Sequence, residues 1–517
     1  MNWYLIISVI ALSIGGVFAS LSDYHMLQQN SYFVSRYFRW LKGSTAKAVY
    51  NIILTVVMAV ISRFHLAFCI ACIGYALIAA PVSLKKQKKA IKPLVVTQRV
   101  VRQLVTHSII ALVFSLATVL LSEWFVLGVV LISCLTPLTV VCVKCVNEPL
   151  EAMVRNYYIN DAKRKLKSHK PMTIIGVTGS FGKTSVKFAL AALLEQKYNV
   201  CYTPASFNTP MGVVKTIRES LKPEDDIFIV EMGAKNIGDI KEICDIVKPN
   251  MGIITSVGPQ HLETFKTIEN VTKTKFELAD AVNKNGGKVY LNFNCEYEKN
   301  AADGYNFVSY ASENADAVIS LKKSGRQGSE FSLTYKGSEL ELHTKLLGFY
   351  NIENVCGAAT LALDLGVSHR DIKYAVSKLS AVSHRLELKP FINGSLLIDD
   401  AYNANPSGSI EAVNVISSFD GFRKIIVTPG LVELGDNEYK ANCALGKAAA
   451  EKCDVLIFVG EKRSIPLVDG AKSVDLVKEE NMHVVASFKD AMTLLRQLVN
   501  DKCVVLFEND LPDNYAG

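Results

Sequence analysis

The 517-residue sequence lacks a disulfide framework: its twelve cysteines are scattered, several of them inside apolar segments. A reducing, cytoplasmic setting for any soluble part follows. It also lacks a basic stripe with interleaved aromatics. The net charge is only +7, and much of it sits beside apolar segments, so a membrane partner is expected and a nucleic acid is not. Cys69-x-x-Cys72 and Cys142-x-x-Cys145 have the spacing of metal or redox pairs, but each lies in or against a hydrophobic run, where small membrane-helix residues are the simpler reading. The first apolar run, Trp3 to Leu21, carries no charge, no basic region before it and no small-residue cleavage site. It reads as an anchor rather than a removed signal peptide. No acidic residue falls within the apolar runs, so nothing suggests a proton or ion path across the membrane.

What the chain does have is an excess of hydrophobic residues, 50% of the total with a mean hydropathy of +0.23, concentrated in its first 150 positions. After Trp3–Leu21 come Ala48–Ser62 and Phe64–Leu84, then Leu104–Ser122 and Trp124–Val143. Basic residues occupy alternate connections: Arg36, Arg39, Lys42 and Lys47 in the first, and Lys85, Lys86, Lys88, Lys89, Lys92, Arg99 and Arg102 in the second. Placing these and everything after residue 144 inside predicts five spans with the N-terminus outside, a multi-pass protein of the cytoplasmic membrane. His107, near the start of one span, reads as interfacial or packed.

A basic linker (Lys163, Arg164, Lys165, Lys167, Lys170) and Pro171 lead into a region where short β-rich runs alternate with helical patterns, the signature of a mostly parallel sheet covered by helices. Ile174-Ile175-Gly176-Val177 runs into Thr178-Gly179-Ser180-Phe181-Gly182-Lys183-Thr184-Ser185. An apolar strand that enters a glycine-rich turn and opens a helix presents backbone N–H groups and a positive helix end to phosphate oxygens. Lys183 then reaches the β/γ-phosphates and the Thr184 hydroxyl holds Mg²⁺. The spacing is shorter than the usual P-loop, whose first glycine would fall on Val177. Glu231, at the end of the strand Ile227–Val230, is the best single carboxylate for the metal. His261 follows the next strand, where it could ligate a second Mg²⁺ or orient a substrate, and Lys275 by itself reads as a solvated helix face. Residues 303–345 look like short antiparallel strands, with a helix near Asn351–Leu365 after them. A second, smaller α/β pattern starts near His384, with Leu396–Ile398 entering Asp399-Asp400-Ala401-Tyr402-Asn403. Ligands in such sheets bind at the carboxyl ends of strands, and acidic and amide residues lie at those ends in both patterns.

Taken in order, Thr178–Thr184, Asn208-Thr209, Glu231-Met232-Gly233, Gly258-Pro259-x-His261-Leu262-Glu263, Lys275-x-Glu277, His384-Arg385-Leu386-Glu387, Asp400-x-Tyr402-Asn403-Ala404-Asn405-Pro406 and Glu433-Leu434-Gly435 resemble the Mur ligases, most of all their D-alanyl-D-alanine-adding branch. The resemblance covers about residues 171–460. It implies a P-loop ATPase-type central domain at 171–383 and a smaller Rossmann-like C-terminal domain at 384–517, here preceded by an all-α transmembrane domain at 1–150. It also implies ATP and Mg²⁺ as cofactors and an acyl-phosphate route to an amide bond. By resemblance, Gly179, Ser180, Gly182, Lys183, Thr184 and Ser185 hold the nucleotide phosphates. Thr184, Glu231, His261 and Lys275 make the metal site, with Lys275 matching a lysine that is often carbamoylated. Lys183, Lys275 and His261 would be the catalytic set, Asn292 an adenine-side contact, and Arg385, Asp400 and Asn403 nucleotide contacts from the last domain. The departures are as informative. No UDP-sugar-binding domain is present, the family's Asn-x-Asp is Asn292-x-Asn294, its histidine before the central helix is Tyr350, and its Lys-Gly-Ser-Arg type of ending is Phe507–Pro512. The resemblance therefore implies a membrane-embedded ligase that joins an amino acid or peptide amine to a carboxylate-bearing envelope precursor, lipid-linked or soluble. The alternatives are a D-alanyl-D-alanine-adding ligase of peptidoglycan synthesis that lacks the UDP domain, and a nucleotide-dependent membrane transporter or sensor.

Overall fold

The computed structural model describes residues 3–89, 93–260, 262–402, 405–432 and 434–509, and they form two units, 1–157 and 158–517. The first unit is helical: α1 (Trp3–Gln29), α2 (Val34–Gly43), α3 (Thr45–Ile61), α4 (His65–Lys89), α5 (Gln98–Leu120), α6 (Val126–Cys134) and the start of α7 (Thr136–Ser168). Three of these, α1, α4 and α5, are long and apolar enough to cross a membrane, and the count reaches five if each bent pair is one span. The bends are 91° between α2 and α3 and 93° between the helix pair 123–134 and α7. The second falls inside the expected span Trp124–Val143. Pro137 there lacks an amide hydrogen, and its ring excludes the carbonyl four residues back, so one helix ends and another begins. Gly15 of α1 lies against Tyr75 of α4, and Gln87 of α4 donates to the Leu21 carbonyl at 3.5 Å, so these two helices run parallel. α5 runs against α1, with Ser13 at 3.1 Å from Ser115 and Gln28 at 2.8 Å from the Val95 carbonyl.

α1 also extends past the expected end of its apolar run and carries Asp23 into the helix bundle. That carboxylate is fully buried, and it accepts from Lys47 Nζ at 2.6 Å, Tyr37 OH at 2.7 Å and Thr136 Oγ1 at 2.8 Å. The connection expected for residues 23–47 is thus partly helix, and the acidic group is tolerated because it is paired and hydrogen-bonded.

The basic segment expected as a linker forms the last turns of α7. Ala162 packs into the core of the second unit, and Lys165 Nζ donates to the Leu221 carbonyl at 2.7 Å. Lysines in a final helical turn also complement the negative end of the helix.

The second unit contains two sheets. The larger combines β1 (Thr173–Thr178), β2 (Val200–Tyr202), β3 (Ile227–Glu231), β4 (Met251–Ile254), β5 (Lys288–Asn292), β6 (Phe307–Ala311), β7 (Ala317–Gly325), β8 (Gly328–Tyr335) and β9 (Ser338–Thr344) in the order β2-β3-β1-β4-β5-β6-β7-β8-β9. The strands from β2 to β6 in that order are parallel, with near-continuous apolar composition; the antiparallel ribbon expected over 303–345 is formed by β7, β8 and β9 alone, since β6 at 307–311 pairs parallel with both β5 and β7. Residue Val177 of β1 pairs with Glu231 of β3, which brings the glycine-rich turn and the carboxylate to the same sheet edge. The smaller sheet has the order β10-β11-β15-β12-β13-β14, from β10 (Glu387–Pro390), β11 (Leu396–Asp400), β12 (Arg423–Thr428), β13 (Val455–Val459), β14 (Met482–Val485) and β15 (Cys503–Glu508). Only β10 is antiparallel; Asp400 and Glu508 stand side by side at the ends of β11 and β15.

Candidate active site

The apolar strand β1 ends in a turn whose geometry only glycine accommodates at two positions. Gly179 has φ +148° and Gly182 φ +77°, and a methyl group on Gly182 would fall 2.5 Å from Asn354 Oδ1. Val177, which replaces the usual first glycine, is an interior strand residue with no exposed surface, so the turn begins later and is shorter. Helix α8 (Lys183–Leu194) starts directly after Gly182 and directs its N-terminal amides at the turn. Ser180 braces the loop, donating to the Gly258 carbonyl at 3.0 Å and accepting from Gly258 N at 3.1 Å. Ser185 occupies the first turn of α8 and is half-buried. Lys183 Nζ donates to the carbonyls of Gly179 (2.8 Å) and Ser180 (2.9 Å). Desolvation by the surrounding loop pushes its pKa down to about 8; Glu231 opposes the shift and Arg385 adds to it.

Glu231 is the hub of the site. It is buried, its backbone N–H donates to Thr203 Oγ1 at 3.1 Å, and its Oε1 accepts from Thr184 Oγ1 at 3.2 Å and Asn208 Nδ2 at 3.0 Å. Its Oε2 accepts from Lys187 Nζ at 3.0 Å, and Lys187 also donates to the Ala205 carbonyl. Lys187 has no exposed side-chain surface; burial pulls its pKa down and the Glu231 charge holds it up. Lys187 was not among the residues expected from the sequence. The available signal was its position four residues after Lys183, on the same face of α8.

Lys275, on the helix Ile268–Lys284, is buried rather than solvated. Burial, reinforced by the charge of Lys183, drives its pKa well below the ordinary lysine range, with Asp239 and Glu277 opposing. A lowered pKa favours the uncharged amine, the form that adds carbon dioxide. His261 and Asn403 lie outside the described residues. Asn292 is buried, and its amide is spent inside the protein, on the Thr255 carbonyl at 3.2 Å and Glu353 at 3.5 Å, while its Oδ1 accepts from Asn294 N at 3.0 Å.

The smaller sheet contributes Arg385 and Asp400. Arg385 lies over the Tyr402 ring at 4.9 Å. Burial lowers its pKa, and Asp400, Tyr402 and Glu231 oppose, which puts the guanidinium within electrostatic reach of the Glu231 hub. Asp400 accepts from Leu386 N at 3.1 Å; burial raises its pKa to about 6 against the pull of Arg385. Lys183, Thr184, Glu231, Lys275 and Arg385 therefore converge at the carboxyl ends of the central strands, with Asp400 behind Arg385.

This donor set suits a nucleoside triphosphate with a hard divalent cation. It supplies one hydroxyl and one buried carboxylate, and among the described residues no three His, Cys, Asp or Glu side chains cluster as a metal cage. Mg²⁺ commonly takes one or two carboxylates and fills the rest of its shell with water and phosphate oxygens.

Comparison with known proteins agrees with this geometry. Residues 177–362 match the Mur ligase middle domain and residues 384–508 the Mur ligase, glutamate ligase domain. The UDP-N-acetylmuramoyl-tripeptide--D-alanyl-D-alanine ligase of Mycobacterium bovis is 31% identical over 371 residues, covering 67% of this chain and 71% of the relative. The Escherichia coli protein of that name is 31% identical over 297 residues, 56% of this chain and 65% of the relative. Among solved structures, the MurF ligase of Thermotoga maritima in complex with ADP superposes with a TM-score of 0.60 at 25% identity, over 69% of this chain and 80% of that one. A nucleotide site of this construction on these two sheets, with a relative of 31% identity of which the chain covers 71%, identifies the chain as a member of the Mur ligase family, the ATP-dependent ligases that form C–N bonds.

Proposed function

We propose that this protein is a multi-pass enzyme of the cytoplasmic membrane, with a transmembrane domain at 1–150 and cytoplasmic Mur ligase domains at 171–383 and 384–517, that extends the peptide of an envelope precursor presented at the inner membrane surface. The observation that carries this reading is the Glu231 hub beside the phosphate turn, with Lys183, Lys275 and Arg385 around it.

In the reaction, a carboxylate oxygen of the acceptor attacks the γ-phosphorus of ATP, the bond from γ-phosphorus to the β-bridging oxygen breaks, and ADP leaves. The incoming amine then attacks the acyl carbon, loses a proton and expels phosphate. The turn at 179–184 binds the phosphates through its amides, Lys183 neutralises charge on the transferring group, and Arg385 supplies a second cation from the smaller sheet. Thr184 and Glu231, joined by His261, would hold Mg²⁺, which neutralises phosphate charge when bound. Carbamoylation would turn Lys275 from a cation beside that site into an anion, and burial, which favours the uncharged amine, supports the conversion. Positioning of the acceptor is the larger requirement, because acyl transfer needs its atoms in near-attack geometry.

The relatives' name supplies the substrate class: a muramoyl tripeptide as carboxylate and D-alanyl-D-alanine as amine. The parallel pair α1 and α4, the oppositely directed α5, and the basic residues Lys47, Lys85, Lys86, Arg99 and Arg102 at one end of them support a lipid-linked acceptor over a UDP-linked one. The test uses the full-length protein in lipid vesicles with ATP, D-alanyl-D-alanine and either lipid-linked or UDP-linked tripeptide. The expected result is phosphate release only when acceptor and amine are both present, faster on the lipid-linked acceptor. Equal rates would make the helical unit a plain anchor, and no release with any pair would sink the ligase reading.

A further inference from the structure

Lys187 makes an interaction that phosphate binding does not require. Thr184 and Lys187 stand three positions apart on the first turns of α8 and share a face, so both reach Glu231. They take different oxygens of its carboxylate. Oε1 accepts from Thr184 Oγ1 at 3.2 Å and from Asn208 Nδ2 at 3.0 Å, whereas Oε2 accepts from Lys187 Nζ at 3.0 Å. Water has no access to this ion pair, whose side chains keep 0% and 1% of their surface exposed. The ammonium is itself held in place, because it also donates to the carbonyl of Ala205, a non-glycine residue at φ +44°. Asn208 of the same loop braces the carboxylate, and its own carbonyl accepts from Gly233 N at 2.7 Å. One buried cation thus joins α8, the end of β3 and the loop 203–209. It fixes Glu231 with Oε1 at Thr184 and Oε2 committed to Lys187.

We propose that Lys187 determines which divalent cation the site accepts: by committing Oε2, it leaves Glu231 a single oxygen to offer, which suits a small ion and rejects a larger one. This rests on the reading of Thr184 and Glu231 as ligands of the cation. Mg²⁺ demands a near-regular octahedron, and the two oxygens of one carboxylate lie too close together to fill two of its corners. It therefore needs only Oε1 and loses nothing to the ion pair. Ca²⁺ takes more oxygen ligands in a looser shell and readily chelates a carboxylate through both oxygens. To be chelated here, Oε2 would have to leave an ammonium that has no water to turn to, at the loss of a buried charge-assisted hydrogen bond. Lys187 acts through Glu231 rather than on the ion, which makes it a positioning residue.

The experiment loads the full-length protein with Mn²⁺ and a non-hydrolysable ATP analogue, then displaces the Mn²⁺ with Mg²⁺ or with Ca²⁺, reading free Mn²⁺ by electron paramagnetic resonance. No turnover enters the measurement. The same titration on the analogue alone gives the preference that the phosphates supply by themselves. Relative to that reference, the unsubstituted protein is expected to favour Mg²⁺ over Ca²⁺ by at least about tenfold, the order set by one charge-assisted hydrogen bond. Lys187→Met is expected to bind both ions more tightly, because the carboxylate is no longer neutralised, and to bring the ratio to within about threefold of the analogue alone. A loop 203–209 merely loosened by the substitution would weaken both ions together and leave the ratio where it was. An unchanged ratio in a folded Lys187→Met protein would therefore overturn the proposal. So would an unsubstituted protein with no more preference than the analogue, a result that needs no variant and stands even if Lys187→Met does not fold. Both results leave the cation site intact. Retention of no Mn²⁺ beyond what the analogue holds would overturn the reading of Thr184 and Glu231 as ligands, and this inference with it.

Discussion

Replacing Lys187 by Met removes one half of the buried ion pair at the centre of the site. The pair is 3.0 Å long and its partners have 0% and 1% of their side-chain surface exposed, so solvent does little to screen it. Deleting one partner of a buried pair leaves the other charge uncompensated, at a cost of about 3–5 kcal/mol. Glu231 would keep its bonds from Thr184 and Asn208, which argues for the lower end of that range. The Ala205 carbonyl also loses its donor. The double variant Lys187→Met, Glu231→Gln removes both charges, and neutral pairs of similar shape are often as stable as the ion pair they replace. It should lie within about 1 kcal/mol of the parent, although it lacks the carboxylate expected to hold the cation. The three tryptophans, Trp3, Trp40 and Trp124, all belong to the helical unit, so their fluorescence would report on the wrong half of the molecule. Pulse proteolysis across a urea series, with cleavage followed in residues 158–517, reads the relevant unfolding. A loss below about 1 kcal/mol for Lys187→Met, or a double variant no more stable than the single one, would refute the reasoning.

Lys183→Ala should lower ATP turnover by about 10²–10³-fold with the fold preserved, as for loss of one preorganised donor, and stopped-flow phosphate release would show it. Near-normal turnover would remove Lys183 from the phosphate site. Lys275→Ala should be inactive and partly rescued by short carboxylic acids that fill the anion position, whereas full activity without them would return Lys275 to a packing role. Glu508 is fully buried beside Asp400, and burial raises its pKa from 4.5 to about 8 against the pull of the Ser409 and Thr428 hydroxyls. A raised carboxyl favours the folded state at low pH, and this contribution is lost as pH rises from 4.5 through 8. Glu508→Gln should therefore equal the parent near pH 4.5 and exceed it in stability at pH 8.5 by on the order of 4 kcal/mol, with parallel pH profiles as the contrary result.

Local rules made much of the nucleotide site legible. Glycines at 179 and 182, a lysine and a threonine after them, and an apolar strand before them need only backbone sterics and helix polarity to be read as a phosphate turn. Glu231 was legible because a carboxylate at a strand end has few other uses. Lys275 read as a solvated lysine, since burial is a property of the packed helix Ile268–Lys284 and not of any six-residue stretch. Asn292 carried the right residue type for a base contact, but its amide is consumed by Thr255 and Glu353, a partnership across β4, β5 and a helix 60 residues away. The membrane unit shows the same division. Hydropathy found the apolar runs, while the break at Pro137 and the burial of Asp23 depend on which helices meet there.

By itself the sequence determined the alternation that builds two α/β sheets, the glycine-rich turn that opens α8, and the apolar helices that precede them, because each depends on the order of neighbouring residues. The tertiary structure alone decided which charges are buried together. Lys187 with Glu231, Asp23 with Lys47, Glu353 beneath the Asn292–Asn294 turn and Glu508 beside Asp400 are joined across 44, 24, 59 to 61 and 108 positions respectively. A charged residue in a sequence is indifferent to such partners. Only the loss of water on packing makes the partner, or its absence, count.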